Sequence, residues 1–303
     1  MTAPPIRSFA ELRLRARHAA PKRVGVVVAD DPVALGAAAD ALRLGIARPV
    51  LIGDEANIRT AAVGHDGLLD QAEIVAAEDA AKAGAALAAA GRVDILLKGH
   101  LRTDELLRAV LDKQAGLRTG QLLSDVLLYE DTLSGATRLV GITDGGLNIA
   151  PGLEQKKQIV LNAIAVLHCL GIARPRIALM SATEAVSDAL PSTMDAAVLA
   201  EMGSKGEFGE ADVFGPFALD NALLKSAAEA KGIRNPVAGR ADCMVVPTIE
   251  AGNLLGKAVK YLGGSACAHV VVGAKVPVLI PSRVESADDK VNAIALGVLY
   301  GGR

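Results

Sequence analysis

The chain has 303 residues and a net charge of −2, with 51% apolar and only 2% aromatic side chains. That balance excludes a disordered chain, argues against nucleic acid as the main partner and leaves few rings for base stacking. No apolar run reaches the roughly 18 residues a membrane span needs. Cys169, Cys243 and Cys267 are widely separated and never in a CxxC pair, which fits a reducing cytoplasm rather than a disulfide framework.

In chain order, the spacing of Phe9, Leu12 and Leu14 predicts a first helix. Val24–Ala29 reads as a buried strand, and Asp30 or Asp31 as the cap of a helix opening on Pro32. Pro49–Ile52 predicts a strand, Glu78–Ala90 a helix, Val93–Leu97 a strand, and Thr103–Gln114 a helix capped by Thr103. Asp125–Tyr129 and Leu139–Thr143 follow as strands, Lys156–Leu170 as a long helix and Arg176–Met180 as a strand. Helices are then predicted over Ser192–Met202 and Asn221–Lys231, a strand over Cys243–Val246 and a helix over Ile249–Leu262. Strands His269–Val272 and Val276–Ile280 and a last helix, Ser286–Leu299, complete the chain. Strands apolar on both faces that alternate with helices imply an α/β fold around a parallel sheet. The length suggests two domains. Glycine clusters at Gly141–Gly146 and Gly263-Gly264 predict the joints, with 1–143 plus 265–303 as a discontinuous first domain and 144–264 as the second.

There is no GxGxxG, no GxxxxGK[ST], no GxSxG and no HExxH. The five histidines lack metal-ligand spacing, so no metal site is expected, and His168 and His269 read as packed core groups. Four segments go further. Pro281–Lys290 follows a predicted strand, where open α/β sheets place ligands. Ser282-Arg283 offers a hydroxyl and a cation there, while Ser286-Ala-Asp-Asp289 also fits a helix capping box. Lys98 and the Gly99 amide, just past another strand, point to a phosphate near the next helix N-terminus, or to a plain turn. Ser181 and Thr183 offer hydroxyls after a third strand, or ordinary turn chemistry. Asp212–Asn221 reads as a shaped loop entering a helix capped by Asp220. It carries Phe214 and Phe217, close to Phe208, with core packing as the default reading of each.

Together these segments resemble the phosphate acetyltransferase/phosphate butyryltransferase family, nearer the butyryl type. The matching phrases are LLKGHLRTDELLRAVLDKQAGLRTGQLLSDV (96–126), ALMSATEAV (178–186), DVFGPFALDNAL (212–223), VVPTIEAGNLLGKAVKYLGG (245–264) and VPVLIPSRVESADDKVNAIALG (276–297). The resemblance implies two α/β domains with a cleft between them, in the isocitrate/isopropylmalate dehydrogenase-like superfold, and a homodimer. It implies the reaction acyl-CoA + phosphate = CoA + acyl phosphate by direct thiolate attack. CoA is then a substrate, and no cofactor, metal or covalent intermediate is needed. The family's Ser-Arg pair and following Asp fall on Ser282, Arg283 and Asp289. There the Asp serves as base for the thiol, and the other two bind substrate and stabilise the transition state. Lys98, Gly99, Thr103, Ser181, Thr183, Phe214 and Phe217 are the substrate-binding candidates. A non-catalytic acyl-CoA-sensing module of the same fold is the alternative, and a cytoplasmic location away from nucleic acid and membrane is expected.

Overall fold

The computed structural model describes residues 4–282 and 285–302. Arg283, one of the three expected catalytic residues, therefore lies outside the described residues. The chain divides into two units. One unit, named outer because it takes both flanks of the sequence, comprises Ala10–Gln121 with 268–302, and the other, named central for the middle of the sequence, comprises 4–9 with Leu122–Cys267.

The chain begins with α1 (Phe9–Arg17), β1 (Lys22–Val27), α2 (Pro32–Arg43), β2 (Ala47–Gly53), α3 (Glu55–Ala61), α4 (Leu68–Gln71), β3 (Glu73–Ala76), α5 (Ala80–Ala89), β4 (Ile95–Lys98) and α6 (Thr103–Val110). The central unit follows with β5 (Ser124–Asp131), β6 (Arg138–Thr143), α7 (Leu153–Cys169), β7 (Arg176–Met180), α8 (Pro191–Ser204), β8 (Asp212–Phe217), α9 (Leu219–Leu223), α10 (Lys225–Ala230), β9 (Cys243–Val245) and α11 (Ile249–Lys257), which runs into a π-helical turn over Ala258–Leu262. The outer unit is completed by β10 (Cys267–Val272), β11 (Val278–Leu279) and α12 (Ala287–Tyr300).

In the outer unit the strand order is β3-β2-β1-β4-β11-β10. All neighbours are parallel except the antiparallel pair β10 and β11. Chain direction across the sheet reverses between β1 and β4, and the carboxyl ends at such a point form a crevice. Of the two candidate caps, Asp30 and Asp31, it is Asp31 that caps α2, accepting hydrogen bonds from the amides of Val33 and Ala34, with Pro32 in the first turn. Gly84 lets the alanine-rich α5 lie against the sheet, because a Cβ there would stand 2.9 Å from Val27 Cγ2. β4 is buried along its whole length.

In the central unit the order is β5-β6-β9-β7-β8. β5 and β6 form an antiparallel hairpin and the other neighbours run parallel. Tyr129, Met180, Phe217 and Met244 are among the side chains that fill its core.

Several expectations change. The units part at Gln121/Leu122 and Cys267/Ala268 rather than at the glycine joints. The β5–β6 hairpin belongs with the central sheet because β6 is hydrogen-bonded to β9. Asp212–Phe217 is not a loop but a strand paired in parallel with β7, and α9 is capped by Ala218 rather than Asp220. β3, α3 and α4 were not expected, being short and weakly periodic. Among the described residues no helix is long and apolar enough to cross a membrane.

Candidate active site

In the outer unit, Val278 and Leu279 of β11 pair with Leu96 and Leu97 of β4, and Val27 of β1 pairs with Lys98. Parallel register therefore delivers Val28, Lys98 and Ile280 to the same edge of the sheet. Lys98 is 5% exposed. Gly99 sits against the turn leaving β1, where Val28 has a left-handed φ of 56°. A Cβ on Gly99 would fall 2.2 Å from the Val28 carbonyl oxygen. This corrects the expected role of the Gly99 amide. It donates to the Val27 carbonyl at 2.9 Å, as His100 donates to Val28, so it is occupied by the sheet. What Gly99 contributes is close approach of two backbones. Thr103 is likewise not a cap. It is the first helical residue of α6, behind Arg102 as the N-cap without a side-chain bond. Asp104 in that first turn is held below the usual carboxylate range, chiefly by its hydrogen bond from Arg102.

Past β11, Pro281 is buried and Ser282 exposed. Asp289, 2% exposed, is the third residue of α12. Its carboxylate accepts from the Ser286 hydroxyl at 2.6 Å and the Ser286 amide at 3.3 Å. The Asp289 amide donates back to the Ser286 hydroxyl oxygen at 3.2 Å. The capping box read from the sequence is thus formed. Two neighbours, Lys290 and Glu285, were not singled out beforehand, and His269 was read only as a core group. Lys290 is 1% exposed and donates to the carbonyls of Ser282 and Glu285. His269 Nε2 lies 3.5 Å from the 7%-exposed Glu285 carboxylate, so this histidine is a polar partner and not only a core filler. The one signal for Lys290 was a cation four residues ahead of Ile294 on an apolar helix face.

In the central unit, Ser181 follows β7. Its amide donates to the Phe217 carbonyl at 2.7 Å and its hydroxyl lies 2.8 Å from that of Ser192. Thr183 accepts the Ala185 amide in a local turn. Phe217 is 1% exposed inside the core, which corrects its candidacy as a substrate-binding residue. Phe214 is half-buried and packs on that core from outside.

The sequence also passed over Asp144, at the carboxyl end of β6. It is 2% exposed and accepts from the amides of Gly146 and Leu147 at 2.7 and 2.8 Å and from Asn148 Nδ2. Burial, followed by the charge of Asp125, pushes its carboxyl above the usual value. Its signal was an Asp-Gly-Gly sequence at a strand end, which was read only as a joint.

The outer unit also holds a cleft of about 1140 Å³ at the carboxyl ends of β1, β2 and β3. Asp30, Asp54, Glu55, Glu78, Asp79 and Asp112 are among its lining residues, against the basic Lys82 and Arg108. Such a lining repels phosphate and its esters. Size alone therefore does not place anionic chemistry there, and the edge carrying Lys98 and Ser282 suits it better. Among the described residues no three His, Cys, Asp or Glu side chains cluster as metal ligands would.

Residues 70–298 match the protein family described as Phosphate acetyl/butaryl transferase. The chain is 38% identical over 300 residues to the phosphate butyryltransferase of Clostridium beijerinckii, covering 98% of this chain and 99% of that one. It is 40% identical over 291 residues to the phosphate acetyltransferase of Rhizobium meliloti, covering 95% and 92%. Among solved structures, a branched-chain phosphotransacylase from Enterococcus faecalis superposes with a TM-score of 0.81 at 30% identity, covering 92% and 99% of the two chains. A phosphotransacetylase from Streptococcus pyogenes reaches the same score at 20% identity and bears on the fold alone. The fold is the isocitrate/isopropylmalate dehydrogenase-like α/β fold of these enzymes.

Proposed function

The chain belongs to the phosphate acetyl/butyryl transferase family, and from that membership we propose that it moves a short acyl group between the sulfur of CoA and inorganic phosphate. The observation that carries the reading is the extent of the family match, which runs from residue 70 to residue 298 and so takes in Lys98, Ser282, Arg283 and Asp289.

With an acyl phosphate as donor, the CoA sulfur attacks the acyl carbon. The carbon–sulfur bond forms, the bond to the phosphate oxygen breaks, and phosphate leaves with the electron pair. Asp289 receives the thiol proton. An ordinary thiol and an ordinary carboxylate differ by roughly 4.6 pKa units, about 6 kcal/mol. Removing the proton before attack would add most of that gap to the barrier, so proton transfer accompanies attack. Arg283 and Ser282 supply positive charge and a hydrogen bond for the developing oxyanion or the phosphate. Both substrates are bound together, without a covalent enzyme intermediate. CoA enters as a substrate rather than a resident cofactor, no metal takes part, and the working form is a cytoplasmic homodimer.

The test is thiol release from acetyl-, propionyl- and butyryl-CoA with phosphate, with and without a chelator. Release that is insensitive to the chelator supports the reading. Tight CoA binding with no release from any of the three would replace it with a non-catalytic acyl-CoA-responsive module.

A further inference from the structure

Lys290 is the most deeply buried cation near the proposed chemistry, 1% exposed one residue after Asp289. A buried ammonium is costly unless its donors are used. Its donors reach 3.2 Å to the Ser282 carbonyl and 3.1 Å to the Glu285 carbonyl. Those two carbonyls bracket the step from β11 to α12. The Glu285 amide also donates to the Ser282 carbonyl at 3.2 Å. The Glu285 carboxylate, turned inward, meets His269 of β10. Ser286 is locked to Asp289 at the start of α12.

From this arrangement we infer that Lys290 is a positioning residue. Its ammonium holds the Ser282 and Glu285 carbonyls and so sets the placement of Ser282 relative to Asp289. A hydrophobic residue of the same length would fill the same space without holding either carbonyl. The selective reason for a charge at this depth is thus the two carbonyls it holds rather than net stability. The inference rests on the reading of Ser282 as a substrate-contacting residue.

The experiment is a double-mutant cycle on the full chain with Ser282→Ala and Lys290→Met, read as kcat for thiol release from acyl-CoA, with melting temperatures alongside. Misplacing a reacting group by an ångström costs up to about 100-fold, so Lys290→Met is expected to lower kcat by about 10- to 100-fold. If Lys290 acts by placing Ser282, the double variant is no slower than the slower single variant. A fold-wide role would instead multiply the two losses. Full activity of Lys290→Met, or a double variant whose loss equals the product, overturns the inference. Full activity of Ser282→Ala overturns the underlying site reading, which is a separate failure. If Lys290→Met does not fold, Lys290→Gln takes its place, since its shorter side chain keeps a polar head but removes the ammonium that reaches both carbonyls. A loss coupled to Ser282→Ala then supports the inference, and full activity or a simple product overturns it.

Discussion

The Asp289 carboxylate accepts the Ser286 hydroxyl proton at 2.6 Å while the Asp289 amide returns a hydrogen bond to the same hydroxyl oxygen. One side chain thus closes the capping box at the start of α12 and is also the proposed base. The two duties separate by mutation. Ser286→Ala removes the cap and is expected to cost about 1 kcal/mol, seen as a small fall in melting temperature with kcat within a few-fold of the parent. Asp289→Asn keeps a similar shape and a carbonyl acceptor for Ser286, and is expected to lower kcat by about 100-fold or more with little change in melting temperature. The opposite pattern, stability lost and turnover spared, would leave Asp289 as a cap alone.

Gly99 has a sharper steric constraint than its sequence context suggests. A methyl group there meets the Val28 carbonyl oxygen at 2.2 Å and the Val27 carbonyl oxygen at 2.7 Å, both backbone atoms that cannot rotate away. Gly99→Ala is expected to destabilise by about 1–3 kcal/mol, as overpacking does, and to raise the KM for phosphate by disturbing the Lys98 edge. Unchanged denaturant midpoint and KM would show that β1 and β4 move apart freely.

Phe217 and Phe214 differ in kind although they are three residues apart. Phe217→Ala empties a site in the core of the central unit and is expected to cost about 3–5 kcal/mol, lowering the melting temperature by roughly 10 °C. Its ratio of acetyl to butyryl activity should stay at the parent value. Phe214→Ala, from a half-buried position, should cost less than half as much. A changed acyl ratio in Phe217→Ala would return it to the acyl site.

Asp144 makes stability depend on pH with a definite sign. Its folded carboxyl value is raised by burial and by Asp125, so between the ordinary value and the raised one the folded state binds the extra proton. Stability from this group is present below the ordinary carboxylate value and is lost as pH rises through the folded one. Asp144→Asn removes that loss. The difference in melting temperature, variant minus parent, is expected to be more favourable at about pH 8 than at about pH 5. A pH-independent difference would mean that the amides of Gly146 and Leu147 fully offset burial.

Much of the fold was legible because short apolar strands and alanine-rich helices carry their period in consecutive residues. The strand over Arg176–Met180, the Asp31 cap and the Ser286–Asp289 capping box all came from patterns spanning four to six positions. β8 was missed because Phe214-Gly-Pro-Phe217 carries turn residues inside a strand, where pairing with β7 overrides local propensity. Gly99 looked like an amide for phosphate because a sequence does not show that Val27 already accepts it.

By itself, the sequence determined the α/β class and the family. Each is written in local periodicity or in a contiguous phrase such as Pro281–Lys290. Only the tertiary structure decided that Phe217 is core, that Asp144 is buried beside Asp125, and that Lys290 reaches back to the Ser282 and Glu285 carbonyls. Burial and hydrogen-bond partners depend on which distant backbones the sheet register brings together, and no local spacing records that.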